Sequence, residues 1–126
     1  MRMDKKTILI VDDNADTRLV LSARLNAHHY HTVFAADALQ AMSVALKERP
    51  AAILLDLGLP GGNGLLVLQR FKANTSLSGI PVIIVTAEDS QVAEARTIEA
   101  GAVAFLQKPV DQDKLIAAVQ QAVGTS

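Results

Sequence analysis

Five polar residues stand at the ends of four short apolar runs, and their side chains are of types that bind metals and anions. They are Asp12 and Asp13 after TILIV, Asp56 after AAILL, Thr86 after VIIV, and Lys108 after VAFLQ. Carboxylate oxygens with room left for water favour Mg²⁺ or Mn²⁺, a lysine ammonium attracts anions, and a hydroxyl donates a hydrogen bond. If these side chains meet, the three carboxylates repel one another and a divalent cation compensates their charge. Such a site of acid, metal and lysine is suited to a tetrahedral anion.

The apolar runs have the length and composition of buried β-strands, and they alternate with segments of helical periodicity. Ala51–Leu55 is apolar throughout, as expected for a strand covered on both faces in a parallel sheet. Asp37 and Asn63 can cap the second and third helices, Pro50 stops the second, and Gly101 suits the left-handed position after the fourth. The predicted strands are 7–11, 31–35, 51–56, 82–85 and 103–106. The predicted helices are 15–28, 38–49, 65–73, 91–100 and a last one that begins at 111 or 112 and ends at 123.

Five strand–helix units in a row predict an α/β fold. We expect a flavodoxin-like, doubly wound parallel sheet of five strands in the order 2-1-3-4-5, with five helices on both faces. That order places strands 1 and 3 side by side, so the three aspartates fall at one carboxyl edge, where open α/β sheets bind ligands. Thr86 and Lys108 follow strands 4 and 5 at the same edge. The length predicts one domain, 1–126, with a core from about residue 6 to residue 123.

Each of the five predicted helices has apolar residues at helical spacing. In the first helix they are Leu19, Ala23 and Ala27, widened by Val20 and Leu21, and in the fourth they are Val92, Ala95 and Ile98. We expect these stripes to face the core. Asp12, Asp13 and Asn14 all have side chains suited to the start of the first helix. One of the two acids is expected to cap it, and since a cap needs a single acid the other is left for a metal.

The composition excludes several classes of function. The 126 residues carry a formal net charge of -1 without a block of like charge, so no basic surface for DNA, RNA or anionic lipid is expected. The absence of cysteine excludes disulfides, thiolate catalysis and cysteine-ligated zinc. The apolar run near the N-terminus, TILIV, is far shorter than a signal peptide or a transmembrane helix needs. We therefore predict a cytoplasmic protein with no nucleic-acid or membrane partner.

Taken together, these residues resemble the receiver domain of two-component response regulators, the family to which the chemotaxis regulator belongs. The likeness rests on the acidic pair after ILIV, Asp56 in DLGLPGGNG, Thr86-Ala87 after VIIV, and Lys108-Pro109 after AFLQ, and it covers nearly the whole chain. It implies that Asp56 accepts a phosphoryl group from a sensor histidine kinase or a phosphotransfer protein.

The resemblance also implies a metal site. The metal would be Mg²⁺, with Mn²⁺ as the alternative. Its implied ligands are Asp13, Asp56, the backbone carbonyl of Gly58 and, through water, Asp12. The Lys108–Pro109 peptide would be cis, which X-Pro bonds allow at modest cost.

The remaining residues are implied to act on the phosphoryl group. Lys108 would pair with Asp56 and then with the phosphoryl oxygens. Thr86 would donate its hydroxyl to the phosphoryl group, and Ala87 would keep the entrance clear. Phe105 stands where the family has a switch aromatic, and a plain core role is the alternative. Phosphorylation would then repack strand 4, helix 4, strand 5 and helix 5, and so change the surface that a downstream protein, which the sequence does not identify, recognises.

Two other functions stay open at this stage. A Mg²⁺-dependent phosphatase of the haloacid-dehalogenase type also forms an aspartyl phosphate, but its nucleophile lies in a DxD pattern after the first strand, which Asp12-Asp13-Asn14 is not. A non-phosphorylated scaffold of the same fold would usually lack one of the five site residues. The favoured interpretation is a signalling domain rather than an enzyme, as a monomer or a weak phosphorylation-dependent dimer.

One position suggests how long the phosphoryl group lasts. Gly58, two residues after Asp56, has no side chain that could shield the acceptor from water. We predict a short-lived phosphoryl group, an effect that Glu88, two residues after Thr86, can offset.

Overall fold

The computed structural model describes residues 5–59, 64–88 and 91–124, which form a five-stranded sheet covered by five helices. The strands are β1 (Thr7–Val11), β2 (His31–Ala35), β3 (Ala52–Leu55), β4 (Val82–Thr86) and β5 (Ala104–Gln107), and the helices are α1 (Ala15–Ala27), α2 (Ala38–Glu48), α3 (Gly64–Ala73), α4 (Gln91–Glu99) and α5 (Gln112–Val123). The strand order is β2-β1-β3-β4-β5 and each adjacent pair is parallel. The predicted fold and strand order are confirmed.

The bounds of the elements differ little from the predicted ones. β3 is one residue shorter at each end than the predicted 51–56, and β5 lies one residue later than the predicted 103–106. Gly101 has a φ of 112°, as predicted for the residue after α4. The predicted cap Asn63 lies outside the described residues. No helix in the described part of the chain is both long enough and apolar enough to cross a lipid bilayer.

Side chains alternate between the two faces of the sheet and build two separate cores. On one face, Ile8 and Ile10 belong to a cluster with residues of α1 and α5. On the other, Leu9 and Val11 belong to a cluster with residues of α2 and α3. Because both faces are covered, the central strands β3 and β4 are buried along their whole length. The polar residues Asp12, Asp56 and Thr86 lie at the carboxyl ends of the strands, at one edge of this covered sheet.

Among the described residues, the side-chain oxygens of Asn14, Asp37 and Asp111 cap α1, α2 and α5. Asn14 caps α1 by accepting a hydrogen bond from the Thr17 N–H at 2.9 Å, and Asp37 caps α2 in the same way. The prediction that Asp12 or Asp13 caps α1 is therefore wrong. Since Asn14 takes this role, neither acid is used as the cap.

The apolar stripe predicted to bury α1 is correct at Leu21 and wrong at Leu19, Ala23 and Ala27, which are exposed. The buried residues of α1 are Leu21, Ser22 and Leu25, whereas Leu19 is 68% exposed. Ser22 can be buried because its hydroxyl shares a hydrogen bond of 2.7 Å with the hydroxyl of Thr32 on β2. Two overlapping stripes fit the helical period, and contact with the sheet selects the one that contains the serine.

The face predicted for α4 is likewise exposed. Val92 and Ile98 are 64% and 44% exposed, while Thr97 is buried at 1% exposure. The Thr97 hydroxyl donates to the Glu94 carbonyl at 3.0 Å, so its polar group is satisfied inside the helix. A small side chain with an internal hydrogen bond therefore occupies the core side of α4.

Candidate functional site

The ends of β1 and β3 bring the acidic residues to one place. Val11 pairs with Leu55, and the Asp56 N–H donates to the Val11 carbonyl at 3.0 Å. The Asp12 N–H donates to the Ala35 carbonyl of β2, also at 3.0 Å. The hydrogen bonding of the sheet thus continues one residue past the strands, and it fixes the backbone of both aspartates at the same edge.

The carboxylates of Asp12, Asp13 and Asp56 form a cluster. Each offers one oxygen, and these oxygens lie within 4.8 Å of one another. Asp12 and Asp56 are buried, with exposures of 2% and 9%, whereas Asp13 is exposed. The cluster is therefore walled by protein on one side and open to water on the other. An oxygen-only donor set with room for water fits Mg²⁺ or Mn²⁺, and thiolate- or imidazole-selective metals find no such ligand here.

Lys108 links two of the three carboxylates. Its Nζ donates to Asp12 Oδ2 at 2.6 Å and to Asp56 Oδ2 at 3.1 Å. Its backbone N–H donates to the Thr86 carbonyl at 2.8 Å, which ties the residue to the end of β4. The following peptide bond, Lys108–Pro109, is cis. The lysine is thus held at both its backbone and its ammonium group.

Its two partners keep Lys108 charged. Burial lowers the pKa of the ammonium, but hydrogen bonds and charge attraction from Asp12 and Asp56 together outweigh burial and raise the pKa above its ordinary value of 10.5. Since the folded-state pKa is the higher one, the stabilisation is complete below the unfolded-state pKa and is lost only as the pH rises through the folded-state pKa. Lys108 therefore keeps its positive charge throughout the neutral range.

Backbone amides orient the same carboxylates. Asp56 Oδ1 accepts a hydrogen bond from the Gly58 N–H at 3.0 Å, and Asp12 Oδ1 accepts one from the Asn14 N–H at 2.9 Å. With Lys108 on the other oxygen, each of these two carboxylates has a donor on both of its oxygens. The acceptor candidate Asp56 is therefore presented in a fixed direction.

Two glycines approach Asp56 closely. A β-carbon at Gly64 would lie 2.4 Å from the Asp56 carbonyl oxygen and 2.6 Å from Leu57 Cα. The start of α3 is therefore in direct backbone contact with the segment Asp56–Gly58, which we call the acceptor loop. A β-carbon at Gly58 would lie 3.6 Å and 3.8 Å from the two Asp56 carboxylate oxygens, which are ordinary contact distances. Gly64 therefore tolerates no side chain, whereas Gly58 has space for one beside the carboxylate.

The other predicted residues lie around this centre. Thr86 is buried at the end of β4, and its Oγ1 accepts a hydrogen bond from the Glu88 N–H at 3.3 Å. Ala87 is exposed beside it. Phe105 is half-buried on β5, where it packs against the core and lines a groove of about 310 Å³ together with Gln91 of α4. The structure therefore gathers the three aspartates and Lys108 into one cluster, with Thr86 at the adjoining strand end and Phe105 further back on β5.

One residue that the sequence analysis did not single out also reaches the site. Arg18 of α1 donates from Nη1 to the Asp12 carbonyl at 2.7 Å. Its position one turn after the Asn14 cap is a signal that it could fold back toward the strand end. Which carbonyl it meets depends on how α1 packs, which the sequence does not show.

A groove of about 410 Å³ borders the site between α1 and the segment that follows Lys108. Its lining includes Val20 and Arg24 from α1, Val110 from the loop before α5, and Lys108 itself. Val20 is 49% exposed, so an apolar side chain lies at the margin of the groove. The cluster therefore opens beside a surface that mixes apolar and charged groups.

The sequence matches the family of response regulator receiver domains over residues 8–120. Sporulation initiation phosphotransferase F of Bacillus subtilis (strain 168) is 39% identical over 121 residues, which are 94% of this chain and 94% of that protein. Response regulator PleD of Caulobacter vibrioides is 39% identical over 114 residues, or 90% of this chain. The chain spans only 25% of the length of PleD, so it corresponds to one part of that protein.

Solved structures agree with this match. One of them is the receiver domain of sensor histidine kinase PA1611 from Pseudomonas aeruginosa PAO1, which has a magnesium ion coordinated in its active-site cleft. It superposes on this chain with a TM-score of 0.87 at 30% identity, and the alignment covers 96% of this chain and 99% of that one. Chemotaxis protein CheY4 of Vibrio cholerae gives a TM-score of 0.87 at 25% identity, covering 94% and 99%. The resemblance inferred from the sequence is confirmed.

Proposed function

Because the chain belongs to the response regulator receiver domain family, we propose that Asp56 accepts a phosphoryl group from a sensor histidine kinase or a phosphotransfer protein. The observation that carries this proposal is the arrangement around Asp56. Lys108 bridges Asp56 and Asp12, and Asp13 completes a cluster of oxygens that suits a divalent cation. A nucleophile, a fixed positive charge and a place for a metal therefore lie together at one edge of the sheet.

Phosphoryl transfer needs an in-line nucleophile and compensation of the charge on the phosphoryl oxygens. A carboxylate oxygen of Asp56 forms the new bond to phosphorus while the bond from phosphorus to the donor histidine breaks, and the imidazole nitrogen keeps that electron pair. Lys108, already within hydrogen-bond distance of Asp56, then binds a phosphoryl oxygen. Mg²⁺, when bound, supplies further positive charge for these oxygens. The metal ligands that we propose are Asp13, Asp56, the Gly58 carbonyl and, through water, Asp12.

The bonds at the end of β4 link the acceptor to the neighbouring surface. Thr86 Oγ1 accepts from Glu88, so the hydroxyl proton of Thr86 is left to donate to the phosphoryl group. Thr86 also pairs with Gln107 and binds the Lys108 N–H, and a displacement of Thr86 is therefore transmitted to β5. Phe105, which lines the groove beside α4, is the switch residue in this proposal. The α4, β5 and α5 face then binds a downstream protein, with the chain as a monomer or a weak phosphorylation-dependent dimer.

The reaction that we propose is confined to the chain's own Asp56, so the protein acts as a signalling domain rather than as an enzyme on a free substrate. The groove between α1 and the Lys108 segment supports a protein donor, because it offers apolar and charged contacts next to the acceptor. We also propose a cytoplasmic location, where the ATP that charges histidine kinases is found.

Incubation of the full chain with acetyl phosphate and Mg²⁺ tests this proposal. One phosphoryl group per chain is expected, stable in acid and labile in base, and mass spectrometry should place it on Asp56. Removal of Mg²⁺ by a chelator should prevent the labelling. Asp56→Asn should remove the label, whereas Asp37→Asn should keep it, because asparagine can still cap α2. Hydrolysis of acetyl phosphate that continues in Asp56→Asn would indicate a phosphatase instead, and metal binding without labelling or hydrolysis would indicate a scaffold.

The open side of Asp56 leads to a prediction about the lifetime of the phosphoryl group. Gly58→Asn should lengthen its half-life about three- to tenfold, which corresponds to a barrier increase of about 1 kcal/mol. The reason is that a side chain at this position fits beside the carboxylate and obstructs attacking water. The half-life is measured by following the loss of the phosphorylated mass after removal of the donor.

A matched control for this experiment is Gly79→Asn. A β-carbon at Gly79 has no atom within 4 Å among the described residues, and the position lies in the loop before β4. The phosphoryl group on Gly79→Asn should have the same half-life as that on the unmodified chain. Equal half-lives for Gly58→Asn and Gly79→Asn would contradict the role given to Gly58.

A further inference from the structure

Arg18 forms a contact that links α1 to the acidic cluster. The Arg18 Nη1 donates to the Asp12 carbonyl at 2.7 Å, and the side chain is partly buried. The Arg18 backbone N–H donates to the Asn14 carbonyl at 3.1 Å, which fixes the first turn of α1. The guanidinium thus reaches back across this turn to the end of β1. Because the guanidinium group is planar and always charged, it is a strong hydrogen-bond donor to a carbonyl.

The carbonyl that Arg18 binds belongs to the peptide between Asp12 and Asp13. The preceding carbonyl, that of Val11, is already bound by the Asp56 N–H. Within the described ranges, the Asp12 carbonyl accepts its hydrogen bond from Arg18. This planar peptide carries the backbone nitrogen and Cα of Asp13, so its orientation limits the directions in which the Asp13 side chain can leave the backbone. Arg18 therefore bears on the placement of Asp13.

The position of the Asp13 carboxylate depends on the backbone more than the positions of the Asp12 and Asp56 carboxylates do. Asp12 and Asp56 each have a backbone amide and Lys108 on their carboxylate oxygens. Asp13 is exposed, and no hydrogen bond to its carboxylate is recorded from residues 5–59, 64–88 or 91–124. Its position in the cluster therefore comes from the backbone that carries it.

We propose that Arg18 is a positioning residue, which holds the Asp12–Asp13 peptide so that the Asp13 carboxylate joins Asp12 and Asp56 as a ligand for a divalent cation. This inference rests on the metal role that the proposed function gives to the cluster. It adds a residue of α1 that touches neither the metal nor the phosphoryl group. Partners of this indirect kind typically change metal affinity by about 10- to 100-fold when they are replaced.

The sign of the effect separates positioning from simple electrostatics. A guanidinium near the cluster repels a cation, so loss of its charge alone would tighten metal binding. Loss of positioning would weaken it. Arg18→Gln should therefore raise the dissociation constant for Mg²⁺ about tenfold. Arg18→Lys keeps a charged donor on a shorter side chain, so its dissociation constant for Mg²⁺ should lie between those of Arg18→Gln and the unmodified chain.

Arg24 provides a closely matched control on the same helix. Its Nη1 donates to the Val110 carbonyl at 2.7 Å, the same kind of bond at the same length, but it is directed at the loop before α5. Arg24→Gln should therefore lose a comparable contact and leave Mg²⁺ affinity within about twofold. Urea unfolding without metal shows whether the two variants are equally well folded.

The measurement is isothermal titration calorimetry of the full chain with Mg²⁺, and again with Mn²⁺. A roughly tenfold weaker affinity for Arg18→Gln alone supports the proposal. An unchanged or tighter affinity, equal weakening in Arg24→Gln, or no metal binding by the unmodified chain overturns it. Labelling of the unmodified chain by acetyl phosphate is scored separately, so failure of Asp56 as an acceptor is distinguished from failure of Arg18 as a positioning residue.

Discussion

Lys108→Met is expected to reduce the rate of phosphoryl transfer from acetyl phosphate by about 10²- to 10³-fold, the effect of removing one preorganised donor from a charged transition state. It is also expected to tighten Mg²⁺ binding. In the unmodified chain the ammonium lies 2.6 Å from Asp12 Oδ2 and 3.1 Å from Asp56 Oδ2, so it occupies two of the carboxylates that a cation needs. Removing one positive charge at this range increases metal affinity by at least about tenfold.

The two expected changes have opposite signs, and together they distinguish the lysine's role from general damage to the site. Labelling rate and Mg²⁺ dissociation constant are measured on the same preparation. Lys114→Met, on the exposed side of α5, removes the same charge away from the cluster and should leave both quantities near their original values. Without metal, Lys108→Met should unfold more easily, and added Mg²⁺ should restore more stability to it than to the unmodified chain. If Lys108→Met weakened Mg²⁺ binding, the competition between lysine and metal would be refuted.

Gly64→Ala is expected to lower the free energy of unfolding by about 3 kcal/mol, the upper end of what overpacking usually costs. In an ordinary helix the same substitution stabilises by about 1 kcal/mol, so the sign itself is informative. Here the new β-carbon meets the Asp56 carbonyl oxygen at 2.4 Å and Leu57 Cα at 2.6 Å. Both are backbone atoms that cannot rotate away, and relief of the clash must move the acceptor loop. Labelling of Asp56 should fall as well.

Urea denaturation measures the stability change, and acetyl phosphate labelling measures the change at the acceptor. Gly79→Ala is the control, since its β-carbon meets no described atom within 4 Å and its stability should stay within about 0.5 kcal/mol. Equal stability of the two variants would show that α3 can withdraw from Asp56 without loss. The close approach of α3 would then have no part in fixing the acceptor.

The burial of α1 and α4 shows where helical periodicity fails as a predictor. The spacing of Leu19, Ala23 and Ala27 is as helical as that of Leu21, Ser22 and Leu25, and the first set, widened by Val20 and Leu21, was predicted to be buried. The structure buries the second set, because a hydrogen bond to Thr32 satisfies the serine. Periodicity records which residues share a helix face, but it contains no information about hydroxyl partners on another element.

The helix cap illustrates the same limit at the site itself. Asp12, Asp13 and Asn14 all have side chains that can cap a helix, and the sequence favoured one of the acids. The structure uses Asn14, while Asp12 turns inward to Lys108. A lysine that lies far along the chain competes for the acid, and only the folded sheet brings the two within hydrogen-bond distance. The cap is Asn14, the residue directly before the first helical residue, Ala15.

Composition and spacing along the chain were enough to predict the alternation of strands and helices, the parallel sheet with its strand order, and the polar residues at the strand ends. These features follow from local composition, from the handedness of crossovers and from the need to cover both faces of a parallel sheet. Two contacts were seen only in the folded protein: Arg18 reaches the Asp12 carbonyl, and α3 leaves no space for a side chain at Gly64. These contacts join segments whose relative position is set by packing at the scale of a few tenths of an ångström, and no pattern along the chain encodes that distance.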